Sequence, residues 1–431
     1  MDMTGDVMTT DFTSRTSASI TIVGAGHAAG ELATALRQAG HAGPIRMIGE
    51  EAYLPYQRPP LSKAFLAGKI ELDALLLKPQ ATYDSVGVEI CLGRRVTAVD
   101  RQRRVLHLDG DREMPFDLLV LATGGRPRPL SALHSDTAAM APNFHYLRTI
   151  DDVRRIIADF KPGRRLVIVG GGYVGLEVAA VARQHDIEVT VIEAAPRVLA
   201  RVTAPQVSAF YEQVHRDAGV HLLTSTVVDE VLIDEDVGRV RGLRSTDGRY
   251  IEADFFIVGI GLLPNVELAC DAGLQVDDGI VVDAFCRTSD PDILAIGDCT
   301  RHPSIHTGGM LRLECVPNAL EQARTAAATL TGQHRPYEAV PWFWSEQYDL
   351  KLQMAGLSQG YDRIVLRGEP ARRSFSAFYL REGRLIAADV VNRPADFMFA
   401  RQAVAKGLYP DPQALADDSV ALKPMLNRPV S

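Results

Sequence analysis

Cysteine is scarce in this chain: there are five, Cys91, Cys270, Cys286, Cys299 and Cys315, among 431 residues. The number is odd and no two stand as Cys-x-x-Cys. That spacing argues against a disulfide framework, a thiolate zinc site or an iron–sulfur centre, and no metal is expected. Free thiols in a reducing compartment remain. Long apolar runs are missing too. Phe255 to Leu263, among the longest, contains two glycines and falls well short of the roughly 18 residues a membrane helix requires. Positive charge is not in excess: the formal net charge is −8, so a basic nucleic-acid-binding domain is not expected. A local basic patch facing an acidic protein stays open. The segment Met1 to Ser19 is rich in Thr, Ser and Asp and lacks the basic start and apolar core of a signal peptide. Residues 1–18 are therefore read as a mobile tail, and the chain as cytoplasmic.

Against these absences stand two glycine loops 146 residues apart, Gly24-Ala25-Gly26-His27-Ala28-Ala29 and Gly170-Gly171-Gly172-Tyr173-Val174-Gly175. Each follows a short β-branched run and precedes a helical pattern. In such a loop the first glycine permits the tight turn, the second lets backbone approach a pyrophosphate, and a small third residue (Ala29, Gly175) lets helix pack on strand. The helix N-terminus then presents free N–H groups to the phosphates. Glu50, 26 residues after Gly24, and Glu193, 23 residues after Gly170, fall at strand ends, where a carboxylate can accept hydrogen bonds from a ribose. A glycine turn without a ligand is the plain alternative for either loop alone. Together they read as two dinucleotide sites, one for resident FAD and one for visiting NAD(P)H. Glu193 would repel a 2′-phosphate and so favours NADH, with Arg197 and Arg201 nearby as the opposing consideration.

The surrounding pattern is α/β. Ser19–Val23, Glu31–Ala39 and Ile45–Ile48 read as a first β-α-β unit. Leu166–Val169, Gly175–Gln184 and Glu188–Ile192 read as a second. Tyr53–Lys63 is too proline-rich for regular structure. Val88–Val99 and Arg104–Leu108 read as an antiparallel excursion, Leu118–Leu121, Phe255–Ile260 and Ile293–Ile296 as buried strands, and Pro317–Leu330 as a helix with proline at its start. The motif order nests one nucleotide domain inside the other: 19–129 and 274–341 for FAD, 130–273 for NAD, and 342–431 as a C-terminal α+β domain.

Tyr53-Leu54-Pro55-Tyr56-Gln57-Arg58-Pro59-Pro60-Leu61-Ser62-Lys63, Ala122-Thr123-Gly124-Gly125-Arg126-Pro127-Arg128, Gly170–Ala180, Ala295-Ile296-Gly297-Asp298-Cys299 and Val316-Pro317-Asn318-Ala319-Leu320-Glu321-Gln322-Ala323 together resemble the FAD-dependent NADH:ferredoxin reductases of bacterial oxygenase systems. The resemblance implies a glutathione-reductase-like fold with two Rossmann-type domains. It implies electron flow from NADH through FAD to a [2Fe–2S] ferredoxin, which feeds a haem-thiolate monooxygenase. It also implies FAD contacts at Gly24, Gly26, Ala28, Ala29, Glu50, Lys63, Val96, Ala122, Thr123, Gly124, Arg126, Arg148, Asp298, Val316 and Trp344. NAD contacts are implied at Gly170, Gly172, Gly175, Glu177, Glu193, Gly259 and Gly261. Lys63 and Glu177 are expected to form an ion pair at the hydride-transfer site, with Glu177 in the first turn of the NAD helix; a helix-end acid and a solvated lysine are the alternative. Arg324 is either an attractor for an acidic ferredoxin or a solvated helix residue.

Disulfide-reducing relatives carry a cysteine pair after the first β-α-β unit, and here Tyr53–Lys63 has none. Flavin can take two electrons as hydride and release them singly, which suits an iron–sulfur acceptor. A reductase with another acceptor, such as rubredoxin, and an apoptosis-inducing-factor-like signalling flavoprotein are the other readings. A monomer is expected.

Overall fold

The computed structural model describes residues 17–132 and 141–427; most of the expected tail lies outside them. The chain divides into two compact units. The first comprises Met1–Tyr56, Leu76–Gly125 and Pro264–Ala339; the second comprises Gln57–Leu75, Arg126–Leu263 and Val340–Ser431. The proline-rich segment Tyr53–Lys63 is thus divided: from Gln57 onward it belongs to the second unit, although motif order alone groups it with the first loop.

In the first unit, a parallel sheet runs in the order Ile293–Ala295, Leu118–Leu121, Ile20–Val23, Ile45–Ile48, Val88–Cys91. Ile20 lies between Ile45 and Leu118, which sets the register. The central runs are apolar at successive positions because both faces are covered. Val88–Cys91 is a correction: it pairs parallel with Ile45–Ile48 as the sheet's edge, and the antiparallel excursion is Val96–Asp100, Val105–Leu108 and Arg112–Pro115. Alternation alone does not distinguish a parallel edge from a hairpin strand. The helix His27–Gln38 packs against the helix Val316–Leu330 through Ala28, Leu32, Ala35, Ala319, Ala323 and Ala326. Small side chains permit that close approach.

The second unit holds a parallel sheet in the order His221–Leu223, Glu188–Ile192, Arg165–Val169, Phe255–Val258, Phe144–Tyr146. Its C-terminal part is an antiparallel sheet of Trp342–Gln347, Leu350–Gly356, Arg384–Val391, Ser374–Arg381 and Arg363–Glu369, in that order. One face carries the helix Pro394–Lys406 over Phe378, Leu380 and Ala388. The other packs Leu352, Phe375, Ala377 and Tyr379 against Leu176, Val207 and Tyr211 of the nucleotide-binding part. No helix among the described residues is long and apolar enough to cross a membrane.

Candidate nucleotide and redox sites

The two glycine loops share one geometry. Gly24 has φ +117, and a Cβ there would lie 2.1 Å from the Ala122 carbonyl oxygen. Gly170 has φ +114, and its Cβ would lie 2.4 Å from the Gly259 carbonyl oxygen. In each case the turn presses against the end of a neighbouring strand, and only glycine fits. Gly175 meets a similar constraint, 2.1 Å from the Gly170 carbonyl oxygen. By contrast, a Cβ at Gly26 or Gly172 would meet nothing within 4 Å. Those middle glycines border open space, where a pyrophosphate can approach backbone N–H groups. Both residues are helix N-caps with no side-chain hydrogen bond and no acid in the following turn, so the positive helix end is left for a ligand. Both loops therefore fit the dinucleotides they suggest.

In the first unit, Ala122, the turn before Glu50 and the turn at Asp298 lie against this loop and its helix. Gly49 approaches Ala25, with an ideal Cβ 2.6 Å from the Ala25 Cβ, which sets Glu50 beside the turn. Glu50 is exposed and 3.4 Å from Arg95. Gly297 would place a Cβ 3.3 Å from that of Ala28, so the Asp298 turn lies over the start of the helix. Buried Gln322 holds that turn by accepting from the Gly297 N–H at 2.6 Å. Thr123 donates to the Asn265 carbonyl at 2.6 Å and its own carbonyl accepts from the Asn265 amide at 2.9 Å, which braces Ala122–Gly124. Val96 is buried among Val23, Ile48 and Val99, and Val316 opens the helix that packs on His27–Gln38. Neither Gln322 nor Asn265 stood out in the sequence: an isolated amide has no periodic signature.

Arg324 pairs with Glu321 at 2.7 Å and Glu31 at 3.3 Å, so its charge is compensated within the unit. All five cysteines are free. Burial raises the Cys299 thiol pKa and pushes that of Cys315 up to about 12, which makes both poor nucleophiles.

In the second unit Glu193 accepts from the Gly171 N–H and the Ala195 N–H, each at 2.7 Å, and so joins the strand end to the loop. Arg197 donates to Ser208 and to the Ala200 carbonyl; its guanidinium is turned into its own loop. Gly261, with φ +118, accepts from the Arg128 N–H at 2.9 Å. Arg148 contributes its carbonyl to Arg58 at 2.7 Å. Arg126 is exposed.

The expected ion pair is present. Lys63 Nζ lies 2.8 Å from Glu177 Oε2, with side chains 16% and 3% exposed. The helix begins at Tyr173, so Glu177 is its fifth residue and opens the second turn rather than lying in the first. Two serines complete the carboxylate shell: Ser62 Oγ donates to Oε2 at 2.5 Å and Ser345 Oγ to Oε1 at 2.6 Å. A buried ion pair persists when its remaining lone pairs are satisfied in this way. Ser62 and Ser345 were not predicted as partners; they lie 115 and 168 residues from Glu177 in the chain. Trp344, next to Ser345, stacks on Trp342 with centroids 5.5 Å apart.

Two parallel nucleotide folds, each with a glycine loop and an acid at the next strand end, are the architecture of a pyridine-nucleotide flavoprotein reductase. The chain belongs to the pyridine nucleotide-disulphide oxidoreductase family, whose profile matches residues 18–326, and a reductase C-terminal domain matches 342–426. It is 48% identical to putidaredoxin reductase of Pseudomonas putida, over 95% of this chain and 96% of that one. It is 43% identical to the ferredoxin–NAD(+) reductase component of the anthranilate 1,2-dioxygenase system of Burkholderia cepacia, over 94% and 98%. The solved covalent putidaredoxin reductase–putidaredoxin complex superposes with a TM-score of 0.92 at 47% identity, covering 95% of this chain and 98% of that chain. The glutathione-reductase-like α/β fold that the resemblance implies is the fold of the protein.

Proposed function

We propose that this protein is an NADH-dependent FAD flavoenzyme that passes electrons to a [2Fe–2S] ferredoxin serving an oxygenase, of the haem-thiolate monooxygenase class, in the cytoplasm. The observation that carries this reading is the pairing of two dinucleotide loops with a lysine–glutamate pair, in a segment where disulfide reductases keep cysteines. FAD supplies the conversion of a hydride's two electrons into single-electron transfers. The chain's residues bind and orient. Gly24 and Gly26 with the helix start at His27, Glu50 and Asp298 hold the FAD; Ala28, Ala29, Val96, Ala122, Thr123, Gly124, Arg126, Arg148, Val316 and Trp344 complete its contacts. Gly170, Gly172, Gly175, Gly259 and Gly261 hold NADH. Glu193 accepts from its adenine ribose and disfavours a 2′-phosphate. Lys63, fixed by Glu177, would supply a fixed cation for the charge a flavin gains on reduction. The segment Tyr53–Lys63 offers no thiol to take the electrons, and burial holds the Cys299 and Cys315 thiols protonated.

The test is anaerobic stopped-flow reduction by NADH and by NADPH, followed by cytochrome c reduction with [2Fe–2S] ferredoxins and a rubredoxin. Fast reduction by NADH, slow reduction by NADPH and acceleration by a [2Fe–2S] ferredoxin are expected. Acceleration by rubredoxin alone, or a long-lived NADH complex that no acceptor discharges, would sink the reading.

A further inference from the structure

The Glu177 carboxylate is the end of a longer chain of hydrogen bonds. Ser345 Oγ, which donates to it, accepts from Gln347 Nε2 at 3.2 Å. Gln347 Oε1 faces His215 Nε2 at 2.9 Å, and His215 Nδ1 faces the Tyr348 hydroxyl at 3.2 Å. Ser345, Gln347 and His215 are at most 1% exposed. Donor and acceptor roles follow link by link. The Ser345 proton is committed to a carboxylate, so its oxygen needs a donor, and that sets the Gln347 amide orientation. The Gln347 oxygen then requires a proton on His215 Nε2, which leaves Nδ1 as acceptor and Tyr348 as donor. Burial lowers the His215 pKa to about 4, which keeps this neutral tautomer through the physiological range. Every donor therefore points toward Glu177.

The backbone is arranged for the chain. Ser345 and Gln347 are two apart on the strand Trp342–Gln347 and share a face. Tyr348 occupies the two-residue turn between paired Gln347 and Leu350 at φ +55. Such turns ordinarily take Asn or Gly. A bulky residue held there gains the bond to His215 and a ring contact at 5.2 Å.

We propose that Tyr348, His215, Gln347 and Ser345 are positioning residues, a one-way donor chain that holds the Glu177 carboxylate and thereby locks Lys63 in its working place. A proton relay is the competing use of such a chain, but the Gln347 amide interrupts it, since a neutral amide holds both its protons. The consequence for hydride transfer rests on the proposed roles of Lys63 and Glu177; the structural consequence does not.

The test labels the oxidised holoenzyme with a small amine-modifying reagent and follows Lys63 by peptide mass spectrometry. Loss of one hydrogen bond to an ionised group should raise Lys63 labelling about tenfold in Ser345→Ala and Gln347→Met. Ser345→Thr, which keeps the hydroxyl, should return it toward the parent level. Tyr348→Phe, at the half-buried end, should shift it in the same direction but less, and covers the case in which a core variant does not fold. In single-turnover reduction, Ser345→Ala should lower the limiting rate constant and leave the NADH dissociation constant unchanged. Unchanged labelling in the folded variants, or Thr no better than Ala at 345, would overturn the proposal. Labelling needs neither NADH nor ferredoxin, so failure of the reductase reading would show separately.

Discussion

Gly24 and Gly170 solve the same problem, a turn at φ near +115 pressed against a neighbouring carbonyl. Their surroundings make the outcome of substitution different. Gly170→Ala must displace the Gly259 strand end in the NADH-binding part; backbone strain of this kind costs about 1–3 kcal/mol. It should lower NADH reduction at fixed, subsaturating NADH by roughly ten- to a hundredfold while FAD content, read from the visible spectrum, stays at the parent level. Loss of FAD instead would show that the second loop supports the resident cofactor. At this scale the sequence was informative where a residue type is forced. The glycines, Glu193 and the missing cysteines are such positions, and the Lys63–Glu177 pair was expected from resemblance. Ser62 and Ser345 were silent, because a serine is equally at home in any exposed turn or strand.

Among the elements, the strand Arg384–Val391 carries an unusual group. Asp389 is buried, and its carboxyl accepts from the Tyr379 hydroxyl at 2.5 Å. Burial pushes its pKa up to about 7 from 3.8. The folded state thus holds the proton more tightly than the unfolded chain. The stability this contributes is complete below about pH 3.8 and is lost as pH rises through about 7. Asp389→Asn removes that dependence. Relative to the parent, the variant should gain stability across this interval, on the order of 1.4 kcal/mol per pH unit at most, and level off above it. Urea unfolding at several pH values checks the difference. His215 acts with the opposite sign: its depressed pKa gives stability present above about 6.5 and lost as pH falls toward about 4. The Asn variant should therefore expose a net fall in stability on acidification. The strands themselves were largely legible because runs such as Leu118–Leu121 are apolar throughout. Helix starts were read two to four residues late, at Gly175 and Glu31 rather than Tyr173 and His27. A glycine loop hides the first turn, because small residues there give little apolar period to read.

For the molecule as a whole, the second unit joins its nucleotide-binding part and its C-terminal sheet through one apolar seam. Leu176, Val207 and Tyr211 meet Leu352, Phe375 and Tyr379 there. A chain ending at Ala339 would expose that seam. We expect it to lose hydrogen-exchange protection in Arg165–Val169 and Glu188–Ile192, the nucleotide-binding strands, as well as the C-terminal sheet. Retained protection in those strands would mean that the C-terminal part is dispensable for folding.

Two dinucleotide loops and the absence of a dithiol after the first of them are properties of local residue patterns, and the sequence by itself determined them. Each depends on a few neighbouring positions: a glycine that no other residue can replace, an acid at a strand end, a proline-rich segment without cysteine. The company of Glu177 was decided only in three dimensions. Ser62, Lys63, His215, Ser345, Gln347 and Tyr348 come from separate stretches of chain, and folding alone places their polar atoms at 2.5–3.2 Å intervals. Buried polar groups must find partners wherever the fold provides them, and no spacing along the chain records that choice.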